Sequence, residues 1–205
     1  MLLTNTLKTF AVSFFVMVSA FPDPALALVN QPTSANKVVS VNTSIRTPKQ
    51  PLLVAQNYIY WGPQRDCQIL MPGVVTENIL NRLTSFSATT QTAYTIIQRD
   101  FPKASRIPIP QLRQVLQSAM RETIGHTGKI IRTTNLVIDG HPGLELLMQH
   151  SDGSLGQYRA FVVNQRFYFM GSLTKDELTT EAVNFFDSFR VYPEQIRYSN
   201  LSNYE

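Results

Sequence analysis

Apolar and polar residues alternate through most of residues 129–173, and the pattern predicts four β-strands separated by turn residues. The stretch "VVNQRF" offers a two-residue turn at Asn164-Gln165. Val162 then faces Phe167 and Ala160 faces Phe169, so one sheet face is continuously apolar. The other face carries Phe161 with Tyr168 and Arg159 with Met170. In "QHSDGSL" a three-residue loop at Ser151-Asp152-Gly153 is preferred to a two-residue one. The shorter loop would put Glu145 beside Ala160 on the core face, and an unpaired buried carboxylate costs several kcal/mol. The longer loop turns Leu144, Leu146 and Met148 inward and sets Glu145 opposite Arg159 on the outer face. In "VIDGHPGLELLM" the same reasoning gives a three-residue loop, Asp139-Gly140-His141. It would place Leu136 against Leu144 and Asn135 beside Glu145. This segment therefore reads as a chain reversal and not as a catalytic Asp-His-Glu group.

Upstream, Cys67 to Met71 alternates and ends at the breaker pair Pro72-Gly73. Ile79–Ser87 and Thr92–Asp100 are rich in β-branched and aromatic residues, and "ATTQ" between them predicts a hairpin. Helical periodicity appears twice. In "PQLRQVLQSAMRETIG", Leu112, Val115, Leu116, Ala119, Met120 and Ile124 share one face, with Pro110 in the first turn and Gly125 as the C-terminal cap. A second helix is predicted over about 175–188, with Thr174 and Glu177 as a capping box and Phe185, Phe186 and Phe189 on its apolar side.

Before these elements the chain changes character. Lys8 precedes the apolar run Phe10–Phe21, and Ala25-Leu26-Ala27 offers small residues for a signal peptidase, so residues 1–27 read as a signal peptide. The run is shorter than the ~20 residues that span a bilayer. Residues 28–57, rich in Ser, Thr, Asn, Gln and Pro, read as a flexible leader, in which the apolar "PLLVAQ" is a candidate docking segment. Residues 58–192 read as one α+β domain, and 193–205 as a C-terminal tail.

Composition adds limits. The chain has 205 residues, 43% hydrophobic and 16% charged, which suits a packed domain. The net charge of +4 comes from scattered Lys and Arg, with no nucleic-acid motif, so nucleic-acid binding is not expected. A single cysteine, Cys67, forms no internal disulfide and reads as a buried strand residue. His126, His141 and His150 have no second ligand at a metal-binding spacing, so neither metal nor cofactor is expected. There is no G-x-S-x-G elbow, P-loop or dinucleotide fingerprint, and no residue is assigned as catalytic. The remaining constellation is Glu145 with Arg159, flanked by Asn135 and Gln157. It reads either as a polar floor for an anionic ligand or partner, or as a cross-strand ion pair worth at most ~1 kcal/mol when exposed.

With "CQILMPGVVTE", "LVIDGHPGLEL", "YRAFVVNQRFYFM" and "AVNFFDSFRV" in view, the chain resembles a group of exported, uncharacterised bacterial proteins common in cyanobacteria. The resemblance covers roughly residues 60–192. That group in turn resembles the PsbP-like fold. The resemblance implies an antiparallel sheet packed with two main helices as an α/β/α sandwich. It also implies a role in binding rather than catalysis. The expected protein is an exported, non-enzymatic binding or accessory protein of the periplasm or thylakoid lumen. Its partner would be a protein or envelope component. The alternatives are a small-ligand or metal-binding protein using the polar sheet face, and, third, an enzyme.

Overall fold

A computed structural model describes residues 57–125 and 128–198. The expected signal peptide, nearly all of the leader, His126 and residues 199–205 lie outside the described residues. In chain order the strands are β1 (Tyr58–Trp61), β2 (Cys67–Met71), β3 (Val74–Ile79), β4 (Arg82–Ser87) and β5 (Thr92–Asp100). After helix α1 (Ile109–Ile124) come β6 (Lys129–Ile138), β7 (His141–Gln149), β8 (Leu155–Val163) and β9 (Arg166–Thr174). Helix α2 (Thr180–Asp187), the short β10 (Arg190–Val191) and a single 3-10 turn (Pro193–Gln195) follow.

Short turns between successive runs dictate antiparallel pairing, and every described pairing is antiparallel. Seven strands form the main sheet in the order β3-β4-β5-β9-β8-β7-β6, and β1-β2-β10 form a second, smaller sheet. The registers expected for β8 and β9 are present: Val162 pairs with Phe167, Ala160 with Phe169 and Arg159 with Met170. Glu145 pairs with Arg159, as the three-residue loop requires. Gly153 has φ +85°, and its N–H donates to the His150 carbonyl at 3.0 Å, closing that loop.

Both sheet faces are covered, which gives the α/β/α sandwich. Leu112, Leu116, Ala119, Met120 and Ile124 of α1 pack on one face, against Leu144, Leu146, Met148 and the Ala160–Phe169 row. Ala182, Phe185 and Phe186 of α2, with Phe189, pack on the other, joined by Cys67, Ile69 and Met71 of β2. Their partners across the interface are Tyr94, Phe161, Tyr168 and Met170.

Several local expectations are corrected. The run expected as one strand over 79–87 is instead the last residue of β3, a turn and β4, and β3 is an element the pattern does not show. β3 is an edge strand whose residues are mostly exposed, so it lacks the inside-outside alternation that marks a strand. The second helix starts at Thr180, not near 175, because β9 continues through Thr174, which pairs with Thr92 and Leu155. Its cap is Thr179, whose hydroxyl accepts from the Ala182 N–H at 3.2 Å. The β6–β7 loop has two residues, Asp139 and Gly140, both at positive φ (49° and 80°). Asp-Gly suits this turn, whose twist matches the strands. That shifts the register by one: Asn135 pairs with Leu144, Leu136 with Gly143, and Thr134 with Glu145. A bulge between Ile130 and Arg132 then moves β6 from one face to the other. Ile130 accordingly joins the α1 core and Ile138 the α2 core. The segment expected as a tail packs over its first residues, where Ile196 is buried.

Candidate functional site

Two polar clusters lie within the α2 side of the sandwich. The first is the predicted group around Glu145. Register puts Glu145, Arg159 and Gln157 on one face of β7 and β8. Gln157 Nε2 and Arg159 Nε each donate to Glu145 Oε2 at 2.8 Å. Arg132 Nη2 donates to Glu145 Oε1 at 3.4 Å. Arg159 Nη1 reaches Asp187 Oδ1 at the end of α2, at 3.1 Å, and its guanidinium lies 4.9 Å from the Phe186 ring centroid. The face expected to be outer is therefore roofed by α2, and Glu145 is only 5% exposed. Burial pushes its carboxyl up. Hydrogen bonds from Arg159 and Gln157, with the charges of Arg159 and Arg132, outweigh that and hold it below the ordinary range. Asn135 is not part of this group, because the two-residue turn points it to the opposite face, beside Leu144. Thr134 occupies the place expected for it. Arg132 and Asp187 escaped the sequence reading. The first shares the face of Thr134 and Glu145 only because the β6–β7 turn has two residues, and the second meets Arg159 only through helix packing.

The second cluster was not anticipated. Asp66, just before β2, is wholly buried. Its Oδ2 accepts from the Tyr168 hydroxyl at 2.7 Å and from Arg166 Nη1 at 3.4 Å. Arg166 also pairs with Asp100 at 2.8 Å and donates to Gln64 Oε1 at 3.3 Å and to the Arg197 carbonyl at 2.6 Å. One guanidinium thus ties the entry to β2, the ends of β5 and β9, and the C-terminal segment. An acidic residue directly before the apolar "CQILM" is the signal that would have revealed it. Cys67 lies beside this cluster, with its Sγ 3.5 Å from Gln98 Oε1. Burial, reinforced by Asp66, pushes its thiol up to about 12. A thiol that stays protonated and has no access to solvent is a poor nucleophile. Gly62 is required here, since a Cβ on it would lie 2.7 Å from Asp66 Oδ1 and 2.8 Å from Cys67 Sγ.

His141 and His150 are separate from both clusters. His141 opens β7, opposite Ile138. His150 Nε2 is 2.7 Å from the hydroxyl of the fully buried Tyr158, and burial lowers its pKa. Among the described residues no three His, Cys, Asp or Glu side chains converge as a metal would require. Among the same residues no helix is long and apolar enough to cross a membrane.

These features define a class: an antiparallel α+β sandwich whose sheet is covered on both faces and whose buried charges act as cross-links. Within that class the fold is PsbP-like. The solution structure of cyanobacterial PsbP (CyanoP) from Synechocystis superposes with a TM-score of 0.50 at 10% identity, over 70% of this chain and 96% of that one. A protein of unknown function from Pseudomonas aeruginosa matches at TM-score 0.37 and 13% identity, over 62% of this chain and 85% of the other. A Bacteroides thetaiotaomicron protein matches at TM-score 0.42 and 8% identity, over 70% of this chain and 54% of that one. No family model and no curated protein matches the sequence. At these identities the likeness concerns the fold alone.

Proposed function

We propose that this is an exported, non-enzymatic binding or accessory protein whose sandwich serves as a rigid platform for a protein or envelope component. One observation carries the reading: the buried ionisable groups are engaged in holding the fold together. Asp66 and Glu145 each meet an arginine, and Cys67 is shut inside the core. A general acid, base or nucleophile needs access to substrate and a pKa near its working pH. The N-terminal charge, apolar run and Ala-x-Ala sequence support export, to the periplasm or a thylakoid lumen. The cyanobacterial PsbP likeness is compatible with an accessory role but supplies only the fold. The alternative of a small ligand on the Glu145–Arg159 face has less support, because both carboxylate oxygens are already occupied there.

The test is affinity recovery from envelope and thylakoid membrane fractions, run beside substrate-turnover screens. The expected result is a reproducible partner and no turnover. Turnover of a defined substrate that is lost on Cys67→Ser, His141→Ala or Glu145→Gln would overturn the reading. A ligand or metal retained in the native mass spectrum would instead favour the small-ligand alternative.

A further inference from the structure

The small sheet has one face in the core and one facing outward. Tyr58 and Tyr60 of β1, Cys67, Ile69 and Met71 of β2 and Val191 of β10 point inward. Register puts Ile59 beside Leu70, and Trp61, Gln68 and Arg190 in one row across the three strands, on the outer face. Ile59 is 61% exposed and Trp61, the only tryptophan of the chain, is 43% exposed. Trp61 is nevertheless held in place. Its ring stacks on Tyr192 at 5.7 Å and 22°, and the Arg65 guanidinium lies 5.9 Å from its centroid. A Trp, a Tyr and two Arg on one outward face is the composition of binding hot spots, where large, pre-ordered side chains lose little entropy on docking.

We propose that this outer face docks an acidic, apolar-bearing segment of a partner protein; the proposal rests on the binding-protein reading above and names the surface. Charge complementarity selects the occupant. Among the described residues no carboxylate pairs with Arg65 or Arg190, while Asp187 nearby is engaged by Arg159. Arg190 donates only to the carbonyls of Asp187 and Phe189. Glu194, exposed just beyond Tyr192, is the one acidic side chain in the adjoining turn. The chain's own leader is a poor occupant, since residues 28–57 carry Lys37, Arg46 and Lys49 and no carboxylate. A second copy docking through the same face would set Arg65 and Arg190 against themselves. Insertion into lipid would strand the Gln68 amide, which sits between Trp61 and Arg190.

The lone tryptophan is its own reporter. The purified protein is titrated with a synthetic peptide of alternating glutamate and valine, and with a control in which lysine replaces glutamate. The expected result is a saturable change in Trp61 emission with the acidic peptide only, weakened by salt. Arg65→Gln with Arg190→Gln weakens binding about tenfold. Trp61→Ala, followed by anisotropy of labelled peptide, weakens it about thirtyfold. Both variants still unfold in one cooperative thermal transition, lowered only by the loss of the Trp61–Tyr192 stack or of the Arg190 contacts to backbone carbonyls. No response, an equal response to the lysine peptide, or a response only to phosphatidylglycerol vesicles overturns the proposal. Undiminished recovery of an envelope partner by both variants rejects this face but leaves the binding-protein reading intact.

Discussion

The two faces of the main sheet are built on different principles. The α1 face is an apolar interface: five buried residues of the helix meet Leu144, Leu146, Met148 and the row from Ala160 to Phe169. The α2 face is equally buried, yet it encloses Glu145 with Arg159 and borders Asp66 with Arg166. Dispersion and the hydrophobic effect are non-directional, so the first face needs only the right residues in the right phase. The second also needs each donor to meet an acceptor, since a buried charge without a partner is severely destabilising. The apolar face supplies cohesion. The charged clusters fix which segments lie together: β7, β8 and α2 in one case, and the turn before β2, the end of β5, the start of β9 and the segment around Arg197 in the other.

Removing one partner should show this contrast most clearly. Arg166→Ala leaves Asp66 buried with only the Tyr168 hydroxyl and takes one partner from Asp100 and one from the Arg197 carbonyl. The expected loss is about 4 kcal/mol in chemical denaturation. Hydrogen exchange should locate the loosening in β1, β2 and the residues around Arg197. A loss below about 1 kcal/mol, the range of an exposed ion pair, would mean that this cluster adds little. On the apolar side, Leu116→Ala removes a fully buried side chain and should cost about 3 kcal/mol, as a cavity that no polar partner complicates. Its cost should not vary between pH 4 and pH 7, roughly the span in which carboxylates complete their titration.

The smallest effect separates the faces by pH. The Glu145 carboxyl is held below its ordinary range, so the unfolded chain takes up that proton first as pH falls. The stability it contributes is present above the ordinary glutamate pKa and is lost as pH falls through the depressed folded value. Glu145→Gln should cost about 2 kcal/mol at neutral pH, the scale of hydrogen bonds to a charged group. Its difference from the parent should shrink as pH falls through that range. A difference that stays constant with pH would show that packing of the side chain, and not its charge, is what matters.

The elements with a one-sided pattern were readable. The α1 stripe, the Asn164-Gln165 turn and the Glu145–Arg159 pairing all follow from keeping apolar side chains in register. Strand β3 was not readable, because an exposed edge strand shows no inside-outside alternation. The β6 register departs from the expected one because its apolar pattern changes face within the strand. The bulge between Ile130 and Arg132 lets a two-residue Asp-Gly turn coexist with apolar contacts on both faces. The two-residue turn takes Asn135 out of the site and brings Arg132 into it.

What the sequence determined by itself was local: strand and helix periods, turn chemistry, and the pairing of successive strands. These depend on residues close in the chain, where side-chain spacing and backbone preference act directly. Tertiary structure alone decided that the supposed outer face lies under α2, that Arg166 joins segments about a hundred residues apart (Asp66 to Arg166), and that Trp61, Tyr192 and Arg65 share one surface. Those contacts arise where separately formed layers meet, and no spacing along the chain encodes them.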